Sequence, residues 1–509
     1  MMDTLRHFLE GRWVDGQGES IPLEDATTGE PCGAVSHGGL DFGSAFAFAK
    51  RVGGPALRSL SFAERGAMLQ ALSALVHANR EALIDASRHG GTTRGDAKFD
   101  IDGASGTLAY YGALGRSLGD GTVLLDGDPE PVLRSKRFVA QHAWVSRLGV
   151  AVHINAYNFP AWGMAEKLAV AVLAGVPVVT KPAPATAPLA TRIVELWVEA
   201  GVLPEGALSL VNGEPRTLLD HLGAQDCVAF TGSAATGRII RSHPTVVANG
   251  VRVNVEADSV NAAVLGPDVE DGSDVFWMFI NQTATEMTQK AGQKCTATRR
   301  VLVPEPLVEQ VVEALSERLA AATVGEPGER GTRVGPLVDR AARARVEEGI
   351  QALEAAGTRV FAGEAPAGGA FVAPALFRVP AQADVVHAHE VFGPVACVLP
   401  YSGEPADAVA LVARGGGGLV CSVYSDDLAW AGAVVLGVAP WHGRVHWGSR
   451  RVHDQSPGPG VVLPNLVHGG PGRAGGGEEL GGRRGLAFYQ QRTVIQGDRG
   501  LLPRILPTG

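Results

Sequence analysis

The stretch GVAVHINAYNFPAWGMAEKLAVAVLAGVPVVTKPA, Gly149–Ala183, decides the fold class. GVAVHINA has the composition of a buried strand. MAEKLAVAVLAG repeats its apolar residues at helical spacing and is closed by Gly175. PVVTKPA is a second strand. Strands that alternate with helices of about 10–15 residues imply a parallel sheet covered on both faces. Working outward, ATRIVELWVEAG (helix), LSLVNG (strand), CVAFTGS (strand, with a helix from Ala234) and VRVNVEA (strand) continue the pattern. A second run follows residue 295: VLVPE, a helix from Glu305, FVAPALF, VFGPVACVLP, LVCSVYS and GRVHWG. Before residue 149, FLEGRWVDGQGESIPLEDATTGEPCGAV reads as short strands between Gly turns, and SFAERGAMLQALSALVHANREALIDAS as helix.

A chain of 509 residues is too long for one ordinary domain and suffices for two or three cores. Apolar content of 45% with 19% charged residues describes a globular protein. The longest uncharged apolar run, Leu168–Thr180, is too short to span a bilayer. MMDTLRHFLEGRW lacks the apolar core of a signal peptide, so a cytoplasmic location is expected. Net charge is −9 with no block of like charge, which argues against nucleic acid as a partner. The five cysteines are scattered, and form neither a CxxC metal pair nor a disulfide framework; reduced thiols and no bound metal are expected. Only seven of the 44 basic residues are lysine, so each lysine is more informative than any arginine or glycine cluster.

Five places carry candidate chemistry. In AGQKCTATRR, Ala291–Arg300, Cys295 sits in a short polar loop where Lys294, Arg299 and backbone N–H groups could favour a nucleophilic thiolate; the alternative is a solvent-accessible spectator. In VRVNVEADSVN, period two puts Arg252, Asn254 and Glu256 on one face. Glu256 at the strand end is either a general base acting through water or the partner of Arg252 in a salt bridge. Asn158 in INAYNFPAWG is either an uncharged donor to an oxyanion or part of an Asx turn. Gly232 and Gly237 in FTGSAATG bracket a strand-to-helix turn suited to phosphate, though this is not the GxGxxG fingerprint; Lys181 ends a strand, as a ligand for ribose or phosphate or as a solvated charge.

Jointly and in this order, Asn158-Phe159-Pro160, Lys181-Pro182-Ala183, Phe230-Thr231-Gly232-Ser233 with Gly237, Glu256, Gly292 to Cys295, and Glu390-Val391-Phe392-Gly393-Pro394 resemble the aldehyde dehydrogenases over nearly the whole chain. That resemblance implies an α/β fold with a Rossmann-type doubly wound NAD(P)-binding domain (1–128 and 148–257), a second α/β catalytic domain (258–487) and a small β oligomerisation element (129–147 and 488–509). It implies Cys295 as nucleophile, Glu256 as base for thioester hydrolysis and Asn158 in the oxyanion hole. Lys181, Pro184, Phe230, Thr231, Gly232, Ser233, Gly237, Glu390 and Phe392 are the implied cofactor-binding residues. Pro184 stands where NAD-preferring members commonly have Glu, so NADP is expected over NAD. A homodimer or a dimer of dimers is expected.

Two departures narrow the resemblance. Ala257-Asp258 replaces the usual Leu-Gly-Gly after the catalytic Glu, and His468-Gly469-Gly470 replaces the late Pro-Phe-Gly-Gly. With NVEADSVN, GQKCTATRR and HGGPGRAGGGEELGG, the chain is similar to the CoA-linked semialdehyde dehydrogenases of aerobic benzoyl-CoA and phenylacetyl-CoA breakdown. The stand-alone kind, without a C-terminal hydratase domain, is expected. The implied substrate is 3,4-dehydroadipyl-CoA semialdehyde, oxidised to the acid in benzoate degradation. A different aldehyde, a CoA-acylating enzyme and a non-enzymatic protein on the same fold are the rivals. Ser449–Gly470 has no assignable shape, and its Arg450 and Arg451 are candidate contacts for CoA phosphates.

Overall fold

The computed structural model describes residues 4–134 and 136–507; the remaining positions of the segments expected above, 1–3, 135 and 508–509, lie outside them. The alternation around Gly149–Ala183 produces a seven-stranded sheet in the order Arg252–Glu256, Cys227–Thr231, Ala151–Ile154, Val178–Lys181, Leu208–Leu210, His7–Leu9, Arg12–Val14. Its first five strands are parallel, and the N-terminal pair adds antiparallel at one edge. Helix Trp162–Leu173 crosses between two of these strands. It is buried along nearly its whole length, and Gly175 at φ +83° turns the chain back into the sheet.

A second seven-stranded sheet runs Thr358–Ala362, Ala375–Arg378, Val395–Tyr401, Thr298–Pro304, Asn261–Leu265, Gly418–Tyr424, His442–Gly448, parallel except at the Thr358–Ala362 edge. Strands Gln490–Asp498, Phe138–Ser146 and Leu124–Pro131 form a separate antiparallel sheet, and Val467–Gly470 pairs with Gly477–Leu480. Strand Gln490–Asp498 lies within 488–509, a stretch expected above to belong to a β element. The helix expected from Glu305 begins as a short 3₁₀ turn and becomes α-helical at Val308. FVAPALF contributes only its last residues to a strand, because Pro374 has no N–H for a ladder. The helix expected over residues 61–87 divides at Asn79, whose side chain donates to the Leu75 carbonyl. No helix among the described residues is long and apolar enough to cross a membrane.

Candidate active site

The C-terminal ends of the first sheet face a loop from the second, and the site forms between them. Thr231 and Glu256 are register partners on adjacent strands, so both side chains leave the sheet at one level. Asn158 follows the neighbouring strand Ala151–Ile154. Cys295 lies between helix Asp274–Thr288 and strand Thr298–Pro304. The approach to it is strained: Lys290, Ala291 and Gly292 take φ of +56°, +52° and +69° in succession. A Cβ at Gly292 would lie 2.1 Å from the Gly393 carbonyl oxygen, so only glycine fits. Beyond the turn, Asn261 Nδ2 donates to the carbonyls of Cys295 (2.7 Å) and Ala297 (3.0 Å), fixing the loop. Cys295, Glu256, Asn158, Thr231, Glu166 and His468 then line one cavity whose other walls include Phe99, Phe159, Trp162 and Val462.

The cavity is electrostatically crowded. His468 Nε2 lies 3.2 Å from Glu256 Oε1 and 3.8 Å from Cys295 Sγ. Burial works against the Glu256 carboxylate, yet the balance is downward, because His468 and then Lys167 hold the ionised form. His468 is shifted up against the effect of its own burial by the same carboxylate. Burial and then Glu256 push the Cys295 thiol well up, Glu166 adds to this, and Lys294 opposes it. Deeper in, Lys167 Nζ pairs with Glu479 Oε2 at 3.0 Å and Glu166 Oε1 at 3.3 Å. Asn254, on the same strand face as Glu256, brings Glu479 there: its Oδ1 accepts from the Glu478 N–H at 2.9 Å and its Nδ2 donates to Glu479 Oε1 at 3.2 Å. A carboxylate oxygen of Glu256, the Cys295 Sγ and a ring nitrogen of His468 all lie within 4.8 Å of one another.

The residues expected to hold a dinucleotide lie along the neighbouring strand ends. Among the described residues Thr231 Oγ1 is buried without a hydrogen-bond partner. Glu390 Oε1 has none closer than the Arg299 Nε at 3.7 Å, while Glu390 Oε2 accepts from the Ser259 N–H at 3.1 Å. Burial, opposed by Arg299, pushes Glu390 up to about 7. Phe392 is held edge-on by Tyr157 at 6.1 Å, with the Arg299 guanidinium over its ring. Ser233 caps helix Ala234–Arg241, accepting from the Thr236 N–H, and a Cβ at Gly237 would meet Val255 at 2.8 Å. Lys181 ends its strand, its ammonium disfavoured by burial and supported by Glu214. Pro184 opens the 3₁₀ turn Pro184–Thr186 and is partly buried. Orphaned acceptors beside a glycine turn fit a nicotinamide dinucleotide.

Several sequence expectations change. Lys294 does not face Cys295: its Nζ donates to Glu286 and Gln289. Arg299 spends its N–H groups on the carbonyls of Gly393, Gly292 and Lys294. A local sequence neighbour is not a spatial one where the chain turns this sharply. Arg252 makes no bridge to Glu256; it donates to the carbonyls of Ala487, Phe488 and Gln490. Phe230 packs in the core beneath Gly232 rather than lining the site with its ring. Within the strand-to-helix turn read as suited to phosphate, the Ala234 N–H is taken by Asp258 Oδ1 at 3.0 Å. The shapeless Ser449–Gly470 segment is organised by Arg444, which donates to the carbonyls of Pro459 and Val461 and so sets Gly460 and Val462 on the cavity wall. Arg450 and Arg451 are exposed on a short turn. Sequence reasoning did not find the roles of His468, Glu166, Lys167 and Glu479. Two signals existed: a histidine in place of an aromatic residue, and a rare lysine inside an apolar helix.

The aldehyde dehydrogenase family matches residues 13–495. The chain is similar to the 3,4-dehydroadipyl-CoA semialdehyde dehydrogenase of Aromatoleum evansii, with 46% identity over 478 residues, 92% of this chain and 93% of that one. It is 42% identical over 177 residues to the protein MaoC of Klebsiella aerogenes, 34% of this chain and 52% of that one. Among solved structures, a putative aldehyde dehydrogenase from Burkholderia cenocepacia superposes with a TM-score of 0.84 at 25% identity, covering 98% of each chain.

Proposed function

The chain belongs to the aldehyde dehydrogenase family, and we propose that it oxidises a CoA-linked semialdehyde, 3,4-dehydroadipyl-CoA semialdehyde, to the carboxylic acid with NADP in aerobic benzoate degradation. The observation that supports this most is the shared cavity of Cys295, Glu256 and Asn158, together with 46% identity to a relative of that name. In this reading Cys295 Sγ attacks the aldehyde carbon. The new oxyanion accepts hydrogen bonds from the Asn158 amide and the Cys295 backbone N–H, which carry no charge to be desolvated. Asn158 lines the same cavity as Cys295. The nicotinamide, when bound, accepts the hydride. Glu256 then takes a proton from the water that attacks the Cys295 thioester, and the sulfur leaves.

Glu256 also separates this reading from a CoA-acylating enzyme, in which a thiol rather than water receives the acyl group and no carboxylate base is required. Lys181 and Pro184 support NADP: Pro184 offers no carboxylate to repel a 2′-phosphate. Glu390 and Thr231 would hold the nicotinamide half, Gly232, Ser233 and Gly237 the diphosphate. In the same reading residues 1–128 and 148–257 bind the cofactor, 258–487 carry the cysteine, and 129–147 with 488–509 pair with a second copy in a homodimer or a dimer of dimers. Exposed Arg450 and Arg451 would meet CoA phosphates. Steady-state rates with the CoA-linked semialdehyde and with the matching free semialdehyde test the substrate. A kcat/KM at least about tenfold higher for the CoA-linked form is expected; equal values would remove CoA recognition from the proposal.

A further inference from the structure

The nucleophile faces a problem that sequence proximity does not solve. Cys295 lies against Glu256, with Glu166 close by, and both carboxylates disfavour a thiolate. The cations that could offset them are mostly committed elsewhere. Lys294 is bonded to Glu286 and Gln289, Arg299 to three backbone carbonyls, and Lys167 to Glu479 and Glu166. Arg444, on the strand beneath, is bonded to the carbonyls of Pro459 and Val461. Among the cationic or protonatable nitrogens of the described residues, the imidazole of His468, at the start of the Val467–Gly470 hairpin strand, is the one in hydrogen-bond contact with the sulfur, at 3.8 Å.

We propose that His468 is a catalytic residue: as an imidazolium hydrogen-bonded to Glu256, it stabilises the Cys295 thiolate that forms when Glu256 accepts the thiol proton. The inference rests on the reading of Cys295 as nucleophile. In the step itself the S–H bond breaks, the proton bonds to a Glu256 carboxylate oxygen, and the electron pair remains on sulfur opposite the imidazolium. Nothing is oxidised or reduced. Glu256 passes the proton to solvent before it can take another from the deacylating water. One ring nitrogen, Nε2, faces both groups, so the charge that the carboxylate loses on protonation is replaced at the same position by the charge on sulfur. His468 therefore keeps an anionic partner throughout. The charged groups that act on its ring are Glu256 and Glu166, which favour the imidazolium, and Arg444, which opposes it; behind Glu166, Lys167 is paired with Glu166 and Glu479.

The test is the pH dependence of iodoacetamide alkylation at Cys295 in the full chain, with each cysteine peptide resolved by mass spectrometry. In His468→Phe, alkylation of Cys295 at pH 7 should be slower by about tenfold or more than in the wild type, the rates converging at high pH, since a facing cation shifts a titration by about 1–3 units. His468→Ala with added imidazole should recover part of the rate, and more so at pH values where imidazole is protonated. Cofactor binding by both variants establishes that they are folded. Superimposable alkylation profiles for wild type and both folded variants would overturn the role of His468. A separate failure, full dehydrogenase activity in Cys295→Ala, would overturn the underlying reading instead.

Discussion

Lys294 Nζ lies 2.9 Å from Glu286 Oε2, and the lysine next to the cysteine is thereby turned away from it. Both side chains are almost fully buried. Removing one member of such a pair leaves the other charge unpaired in a low-dielectric setting. Lys294→Met should lower stability by roughly 3–5 kcal/mol, measured by urea unfolding, while the pH profile of Cys295 alkylation changes little. A large loss of thiol reactivity in a folded Lys294→Met protein would return the lysine to the role that its place in the sequence suggests.

Cys295→Ala should abolish dehydrogenase turnover and leave cofactor binding intact, since the thiol is the only covalent partner in the mechanism. Cys32 is exposed, so Cys32→Ala serves as the control and should retain the wild-type rate. Fluorescence titration with reduced cofactor separates loss of chemistry from loss of binding.

Glu256→Gln should slow thioester hydrolysis by about 10²–10⁴, the usual worth of a positioned base. The amide keeps the shape but cannot accept a proton. Because Glu256 also takes the thiol proton, the burst is sought at high pH, where Cys295 ionises without it. A stopped-flow trace there should show a burst of reduced cofactor, equal to the active sites, followed by a slow steady rate. Equal slowing of both phases would mean that Glu256 does not act specifically on the water.

In the proposed reading cofactor preference turns on Lys181, whose ammonium is supported by Glu214. That carboxylate competes with a 2′-phosphate for the same cation. Lys181→Ala should harm NADP use more than NAD use, and Pro184→Glu should shift preference toward NAD. Glu214→Gln should raise the NADP/NAD ratio of kcat/KM. A change of about tenfold corresponds to roughly 1.4 kcal/mol. A wild-type enzyme equally efficient with both cofactors would contradict the assignment of Lys181 and Pro184.

Glu390 sits at about 7 because burial outweighs the attraction of Arg299. Its ordinary value in an unfolded chain is roughly 4.3. The folded group holds its proton more tightly, so the stability linked to it is fully present below about 4.3 and declines as pH rises toward 7. Glu390→Gln should flatten that decline in the cofactor-free protein, seen as a smaller change in unfolding midpoint between pH 5 and 7. An unchanged slope would assign the pH dependence to another group.

The local sequence was enough to read the alternating architecture and the backbone of the site. Period-two and helical patterning reflect which face of each element is buried, and that is a local property. Asn158, Glu256 and Cys295 each stayed open to a plain reading on local position, and were singled out only jointly, by resemblance to one family's pattern. What the sequence did not reveal were contacts between distant segments. His468 reaches Cys295 across 173 positions, and Lys167 meets Glu479 through the grip of Asn254. Lys294 and Arg299 showed the converse: neighbours in sequence that the left-handed turn at Lys290–Gly292 and the nearby carbonyls carry away from the thiol. Charge in the cavity is decided by desolvation and by which donors remain uncommitted. Both depend on every element that packs around the cavity, so only the tertiary structure could assign them.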